Sequence, residues 1–211
     1  MKVGELSPHA VSKSDRDERR ECILKAAYAA FLADGYALTS MSSIVGKVGG
    51  SKATLYNHFS SKEELFVAVI EEKCRDVQAS VFGTQIEGKD FHKTLTGLAD
   101  RVVRVVLQDE SISIYRLITA ETARFPELGR IFYLSGRQKG MQTLIEFFEQ
   151  GQRGGELKPG SPKKMATLFL GLCQGELWLQ KLWNVNSNPA EKEIKAAIGQ
   201  TVSVFLDAYG A

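Results

Sequence analysis

Between Ser51 and Lys62 the chain reads Ser-Lys-Ala-Thr-Leu-Tyr-Asn-His-Phe-Ser-Ser-Lys, a set of side chains suited to gripping an acidic polymer. Leu55 and Phe59 are four apart, so on a helix both face inward and turn Lys52, Ala53, Tyr56 and Asn57 to the opposite side. That outer face offers one cation, one small apolar contact, one aromatic hydroxyl and one amide. Such groups meet phosphates, a thymine methyl or base edges. Lys62, at the start of the next helix, is placed to reach a phosphate together with the unpaired N–H groups of the first turn. No carboxylate occurs between Asp34 and Glu63, although Lys47, Lys52 and Lys62 do. Every acid there would repel phosphate. Residues 1–62 hold nine Lys/Arg against six Asp/Glu and the remainder eighteen against nineteen, so the formal charge of +2 is carried by the N-terminal part. A generic helical corner with a solvated basic face has the same composition, so the surrounding elements must decide.

Those elements read as all helix. Apolar residues recur at three- and four-residue intervals, and no alternating Val/Ile/Thr run of strand length stands out. A first helix is expected from the Ser14/Asp15 cap, with Ile23, Ala27, Ala30 and Phe31 on one face and Gly35 closing it. A short second helix, 40–48, starts at Thr39 or Ser40 and stops at Gly49-Gly50. The third runs from Ser51 to Phe59. Ser61 and Glu64 form a capping box for a long fourth helix through Leu65, Phe66, Val69, Ile70, Val77 and Val81. Two short helices meeting at Gly49 have the dimensions of a helix-turn-helix, whose second helix enters the DNA major groove. Beyond the break at 82–90, helices are expected near 90–107, 110–124 and 127–151, the last interrupted around Gly136 and Gly140. Two more, 162–184 and 189–208, follow the cap-then-proline pairs Ser161-Pro162 and Asn188-Pro189, the second with Glu191 as capping-box carboxylate.

The stretch Thr39-Ser-Met-Ser-Ser-Ile-Val-Gly-Lys-Val-Gly-Gly-Ser-Lys-Ala-Thr-Leu-Tyr-Asn-His-Phe-Ser-Ser-Lys-Glu-Glu-Leu65 resembles the DNA-binding domain of the TetR family. The match extends back through Ile23-Leu24, Ala27, Phe31 and Gly35-Tyr36, about 55 residues at fixed spacing. The resemblance implies that Thr39 caps the second helix and touches a phosphate, that Lys52, Ala53 and Thr54 approach bases or backbone, and that Tyr56 and Lys62 grip phosphates. Ser51, Asn57 and His58 complete the candidate set. His58 stands where the family often has an aromatic ring, leaving a phosphate contact and packing beside the fourth helix both open. Gly46 and Gly50 depart from the family pattern, each loosening the motif by up to ~1 kcal/mol. ETARFPELGRIFY and GELWLQKLW are similar to AefR-like C-terminal regions of part of the family.

The implied architecture is all-α: residues 1–14 a disordered lead-in, 15–75 the helix-turn-helix domain, and 76–211 a ligand-binding and dimerisation domain joined through the long fourth helix. At 100° per residue the 162–184 helix carries one apolar stripe through Met165, Leu168, Phe169, Leu172, Leu179 and Trp183, with Gly171, Gly175, Trp178 and Leu182 a quarter turn away. Two faces need two partners, one of them a second subunit. Gly171, Gly175 and Leu182 with Ile194, Ile198 and Phe205 of the last helix are the expected homodimer contacts. Glu176 falls inside the apolar stripe, where it needs an ion pair to Arg116 or Arg124, or else anchors a ligand. Tyr115, Phe132, Phe148 and Trp178 are the expected walls of such an effector site. The fourth helix is the expected lever between ligand and DNA.

The remaining composition is ordinary for 211 residues, with 44% apolar and 25% charged side chains, so wholesale disorder is excluded. No apolar run approaches the ~20 residues that span a bilayer, and no secretory-type apolar core opens the chain, making the cytoplasm the default location. Cys22, Cys74 and Cys173 with three histidines form no metal-ligand spacing. No G-x-S-x-G, Walker, H-E-x-x-H or dinucleotide glycine pattern occurs, and Ser161-Pro-Lys-Lys164 is explained as a helix cap. No catalytic residue, cofactor or metal is therefore expected. The expected partners are double-stranded operator DNA, a small hydrophobic or aromatic effector and a second copy of the chain. The competing reading is a DNA-anchored or protein-binding dimer that senses nothing.

Overall fold

The computed structural model describes residues 13–49, 51–83 and 90–211. The expected lead-in (to residue 12), the turn residue Gly50 and most of the 82–90 break lie outside the described residues. Within them the elements are α1 (Lys13–Leu38), α2 (Met41–Val48), α3 (Lys52–His58), α4 (Lys62–Phe82), α5 (Phe91–Val106), α6 (Asp109–Thr122) and α7 (Pro126–Phe132). A π-helical segment (Tyr133–Gln138), α8 (Lys139–Gly154), α9 (Pro162–Leu182) and α10 (Glu191–Tyr209) complete the order. The chain divides into two compact units, Met1–Val69 and Ile70–Ala211, a division inside α4 and earlier than the expected 75/76 boundary.

In the first unit the rings of Phe31, Tyr36 and Phe66 meet with centroids 5.0–5.8 Å apart, and Ile23, Leu24, Ile44, Leu55 and Leu65 close the core around them. α1 is helical from Lys13, ahead of the expected Ser14/Asp15 start, and breaks at Gly35 (φ 73°, ψ 166°). The cap of α2 is Ser40, whose Oγ accepts from the Ser43 amide at 3.1 Å while Ser43 Oγ accepts from the Ser40 amide. Thr39 is instead buried, its hydroxyl 2.7 Å from the Gly35 carbonyl and 3.2 Å from that of Ala30. Its β-branched side chain plugs the end of α1, which corrects the capping role. Ser61 Oγ accepts from the Glu64 amide as expected, but the Glu64 carboxylate returns one residue further, to the Ser60 amide (2.7 Å) and hydroxyl (2.6 Å). These bonds hold the Glu64 carboxyl below the usual carboxylate range.

The second unit is built on Phe148, Phe169 and Phe205, all fully buried, with ring centroids 4.8–5.7 Å apart. Leu95, Leu98, Leu144 and Met165 fill the surrounding layer. Ser161 caps α9 with Pro162 as its first residue. α10 starts at Glu191 rather than after Asn188: the Glu193 carboxylate accepts from the Ala190 amide at 2.7 Å. Glu191 pairs with the Arg104 guanidinium at 2.6 Å. The interruption expected near Gly136 is the π-helical segment, an arrangement frequent at functional sites. α9 is not one continuous wheel, because Gly175 (φ 39°, ψ −164°) leaves helical geometry and resets the phase of everything after it.

Gly49 (φ 70°, ψ 156°) occupies backbone space essentially reserved for glycine, whereas Gly46 lies inside α2 with open space beyond its own helix backbone where a Cβ would stand. Gly49→Ala is expected to lower the unfolding free energy by about 1–3 kcal/mol. Gly46→Ala is expected to raise it by about 0.5–1 kcal/mol. Urea unfolding of the two variants checks the opposite signs.

Candidate functional site

α3 is held by its two ends. Ser51 Oγ accepts from the Thr54 amide at 3.1 Å and lies 3.0 Å from Thr54 Oγ1, and Leu55 and Phe59 are buried. Lys52, Ala53, Tyr56 and Asn57 are all exposed, Tyr56 at 50%, and Thr54 and His58 are half-buried at the flank. The structure therefore brings Ser51, Lys52, Ala53, Thr54, Tyr56, Asn57 and His58 onto or beside one accessible surface. The spacing of two apolar anchors was enough to orient them.

Lys62 turns back onto α1. Its ammonium donates to the Tyr36 carbonyl at 2.7 Å, lies 3.3 Å from that of Ala37, and sits 4.4 Å from the centre of the Tyr36 ring. It satisfies the end of α1 and stacks on an aromatic face; a phosphate contact would have to compete with that. Its long stem allowed the head to turn back, which spacing does not reveal. His58 lies beside α1 instead of α4. A groove is lined by Asp15, Arg16, Arg19, Thr54, Asn57 and His58. Burial first, then the nearby charges of Arg16, Arg20 and Arg19, push the His58 imidazole below its ordinary pKa, so it is neutral at neutral pH. The Arg19 guanidinium donates to the Gly49 carbonyl, and that of Arg20 lies over the Phe59 ring at 5.4 Å. These arginines are candidate contributors that the sequence reading missed; their i, i+3, i+4 spacing on α1 was the available signal.

In the second unit an apolar cavity of about 150 Å³ is walled by α4, α5, α6, α7, the π segment, α8 and α9. Tyr115 and Phe132, edge-on at 5.2 Å, both line it. Trp178 packs edge-on to Tyr115 at 5.3 Å behind them. Phe148 does not line it, being consumed by the Phe169 and Phe205 rings of the core. Glu176 does not either: past the Gly175 break it is exposed and accepts from the Gln180 amide at 3.0 Å. Neither expected arginine pairs with it. Arg116 donates to the Lys181 and Leu182 carbonyls, and Arg124 lies over the Phe125 ring. Sequence reasoning missed Cys74, Gln78, Lys73, Arg137 and Gln174, polar residues of the wall scattered over elements whose approach no local spacing encodes. Burial pushes the Cys74 thiol up to about 11.

The expected subunit contacts separate into two groups. Gly171 and Gly175 are exposed, with open space where a Cβ would stand, and Leu182 and Ile194 are half-buried. Ile198 and Phe205 are buried in the unit's own core. The stripe assigned to a partner on α10 is the core-facing one, since Phe205 completes the Phe148/Phe169 cluster. The uncovered face of α10 carries Ala196, Gly199, Gln200, Ser203 and Val204. Among the described residues no group of three or more His, Cys, Asp or Glu gathers as a metal site, and no helix is long and apolar enough to cross a membrane.

Comparison with known proteins matches both units. Residues 23–69 match the bacterial regulatory proteins of the tetR family, and residues 93–211 the C-terminal domain of AefR-like transcriptional repressors. The HTH-type transcriptional activator FasR of Mycolicibacterium smegmatis is 42% identical over 66 residues, which are 31% of this chain and 30% of FasR. A TetR-family regulator structure from Mesorhizobium loti superposes with TM-score 0.83 at 29% identity, covering 93% of this chain and 98% of its own. The flavonoid-responsive regulator FrrA superposes at 0.81 with 30% identity, covering 92% and 98%.

Loss of the Lys62 ammonium leaves two helix-end carbonyls without their cation. Lys62→Ala is expected to cost about 1.5–3 kcal/mol of stability, whereas exposed Lys52→Ala stays within about 0.5 kcal/mol. Chemical denaturation of both variants separates the anchoring lysine from the accessible one.

Proposed function

Because the chain belongs to the tetR family of bacterial regulatory proteins, we propose that it acts as a cytoplasmic, homodimeric repressor released from a palindromic operator by a small apolar or aromatic effector. That it is a DNA-binding transcriptional regulator follows from the family; the direction of control, the effector and the dimer are the proposal. The family is regulatory, and no catalytic role is proposed. The observation carrying the reading is the exposed Lys52/Ala53/Tyr56/Asn57 face of α3, in a stretch with no carboxylate. An exposed helix face of this composition fits a major groove: Tyr56 and Lys52 suit the backbone, Asn57 a base edge.

The apolar cavity supports the effector part. α4 contributes Leu65 and Phe66 to the core that anchors α3 and, further along, Ile70, Lys73, Cys74, Val77, Gln78, Val81 and Phe82 to the cavity wall, so one helix belongs to both functions. Recognition helices of a dimer must meet half-sites about 34–36 Å apart or a multiple of it. A ligand preferring another separation lowers DNA affinity by its differential binding, typically about 1–3 kcal/mol. The small, uncovered residues Gly171, Gly175, Ala196, Gly199 and Ser203 support a subunit contact through α9 and α10, where two such pairs would form a four-helix bundle.

Tyr56→Ala is expected to weaken binding evenly across duplex sequences, and Asn57→Ala to change base preference by about 1–3 kcal/mol at the positions it reads. Selection of bound sequences by the purified variants measures both; unchanged selection and affinity in both variants would sink the α3 assignment. Compounds that raise the melting temperature are then titrated against operator binding. If none changes operator affinity, the protein is a DNA-binding dimer without an effector.

Light scattering is expected to give twice the 23.3 kDa chain mass. Gly171→Glu should yield folded monomers, while Ile198→Glu should unfold the second unit. A folded monomeric Ile198→Glu would return the interface to the other face of α10.

A further inference from the structure

The polar groups of the cavity wall are unequally satisfied. The Lys73 ammonium is neutralised by Glu110 at 2.9 Å and Asp76 at 3.9 Å. The Gln78 amide donates to the Ser135 carbonyl at 3.0 Å, and that of Gln174 to the Tyr115 hydroxyl at 3.3 Å. The Cys74 thiol, raised by burial, is uncharged and brings no competing anion. The Ser111 hydroxyl and the Arg137 guanidinium have no ion pair or hydrogen bond among the described residues, and of the two only Arg137, half-buried on the π segment, carries a charge. Its charge is felt at the Tyr115 hydroxyl, where it opposes the upward push of burial. A second donor in this region, the Trp178 indole N–H, is buried without an acceptor among the described residues.

An unpaired, partly desolvated guanidinium at an apolar wall is costly and takes up an oxyanion strongly, since its planar fork matches a carboxylate. The body attached to that oxyanion must be small. A cavity of about 150 Å³ is the size that accepts one benzene ring. Its walls include the edge-on pair Tyr115/Phe132, with Val102 and Ile114, surfaces that suit a ring.

We infer that the ligand of this cavity is a one-ring aromatic carboxylate, its oxyanion on Arg137 and its ring among Val102, Ile114, Tyr115 and Phe132. The inference rests on the reading of the cavity as the effector site and assigns its ligand class. Neutral aromatics leave Arg137 unpaired, and larger ring systems exceed the space.

The test is calorimetric titration of the full-length protein with benzoate, benzamide and 2-naphthoate, followed by operator titration with each. Benzoate should bind about tenfold or more tighter than isosteric benzamide, as a charge-assisted bond implies, and tighter than 2-naphthoate. Arg137→Gln should erase the preference for acid over amide, and Arg137→Lys should retain part of it. Having no partner to lose, Arg137→Gln should melt no lower than the parent; if it does not fold, the acid-to-amide ratio of the parent and of Arg137→Lys decides. Equal binding of acid and amide, a preference that survives Arg137→Gln, tighter binding of 2-naphthoate, or no binding of benzoate overturns the inference. Benzoate that binds through Arg137 yet leaves operator affinity unchanged upholds the ligand class and removes the effector reading. Benzamide or 2-naphthoate as the better binder and releaser of operator does the reverse.

Discussion

A helix of seven residues does not persist in water by itself, because too few backbone hydrogen bonds form to offset its nucleation cost. α3 exists because Leu55 and Phe59 are buried in the first unit, each burial contributing roughly 1.5–3 kcal/mol. That anchoring settles the rest of the site by elimination. With both apolar side chains inward and only two turns available, Lys52, Ala53, Tyr56 and Asn57 have nowhere to point but outward. The exposed face of α3 is thus a by-product of core packing, and its precision depends on how firmly the core holds the two anchors.

The polar residues around α3 serve that anchoring more than expected from their types. Thr39 and Lys62 both satisfy carbonyls at the end of α1, Arg19 donates to the carbonyl of Gly49, and Ser40, Ser51, Ser61 and Glu64 cap the helices. In a unit made of short helices the free N–H and C=O groups are a large share of the backbone, and each needs a partner when buried. A serine or lysine beside a short helix is therefore drawn to the nearest helix end.

The aromatic crowding of the second unit resolves into two functions. Phe148, Phe169 and Phe205 make the core, while Tyr115 and Phe132 wall the cavity with Phe82 and a set of aliphatic residues. Tyr133 and Trp183 are exposed. Rings of one type are sorted by which helix neighbour fills the space beside them, and the π segment contributes by bringing Gly136 and Arg137 to the wall.

Local pattern was sufficient where the physics is local. Helical periodicity, the Ser161-Pro162 start, the Ser61/Glu64 capping and the outward face of α3 all depend on residues within about four positions of one another, and all were legible in the amino-acid order. So was the family, through a fixed spacing of apolar and polar types from Ile23 to Leu65. What depended on distant partners was not legible. One non-helical residue, Gly175, moved Glu176 from an apolar stripe into solvent. The stripe of α10 through Ile198 and Phe205 looked free for a partner, yet Phe148 and Phe169 claim it. Lys62 and Thr39 could face solvent or the end of α1, and only the packed α1 end chose between them. The unpaired charge of Arg137 beside Tyr115 is likewise a product of tertiary structure, because which carboxylates lie near a guanidinium depends on how helices distant in sequence pack.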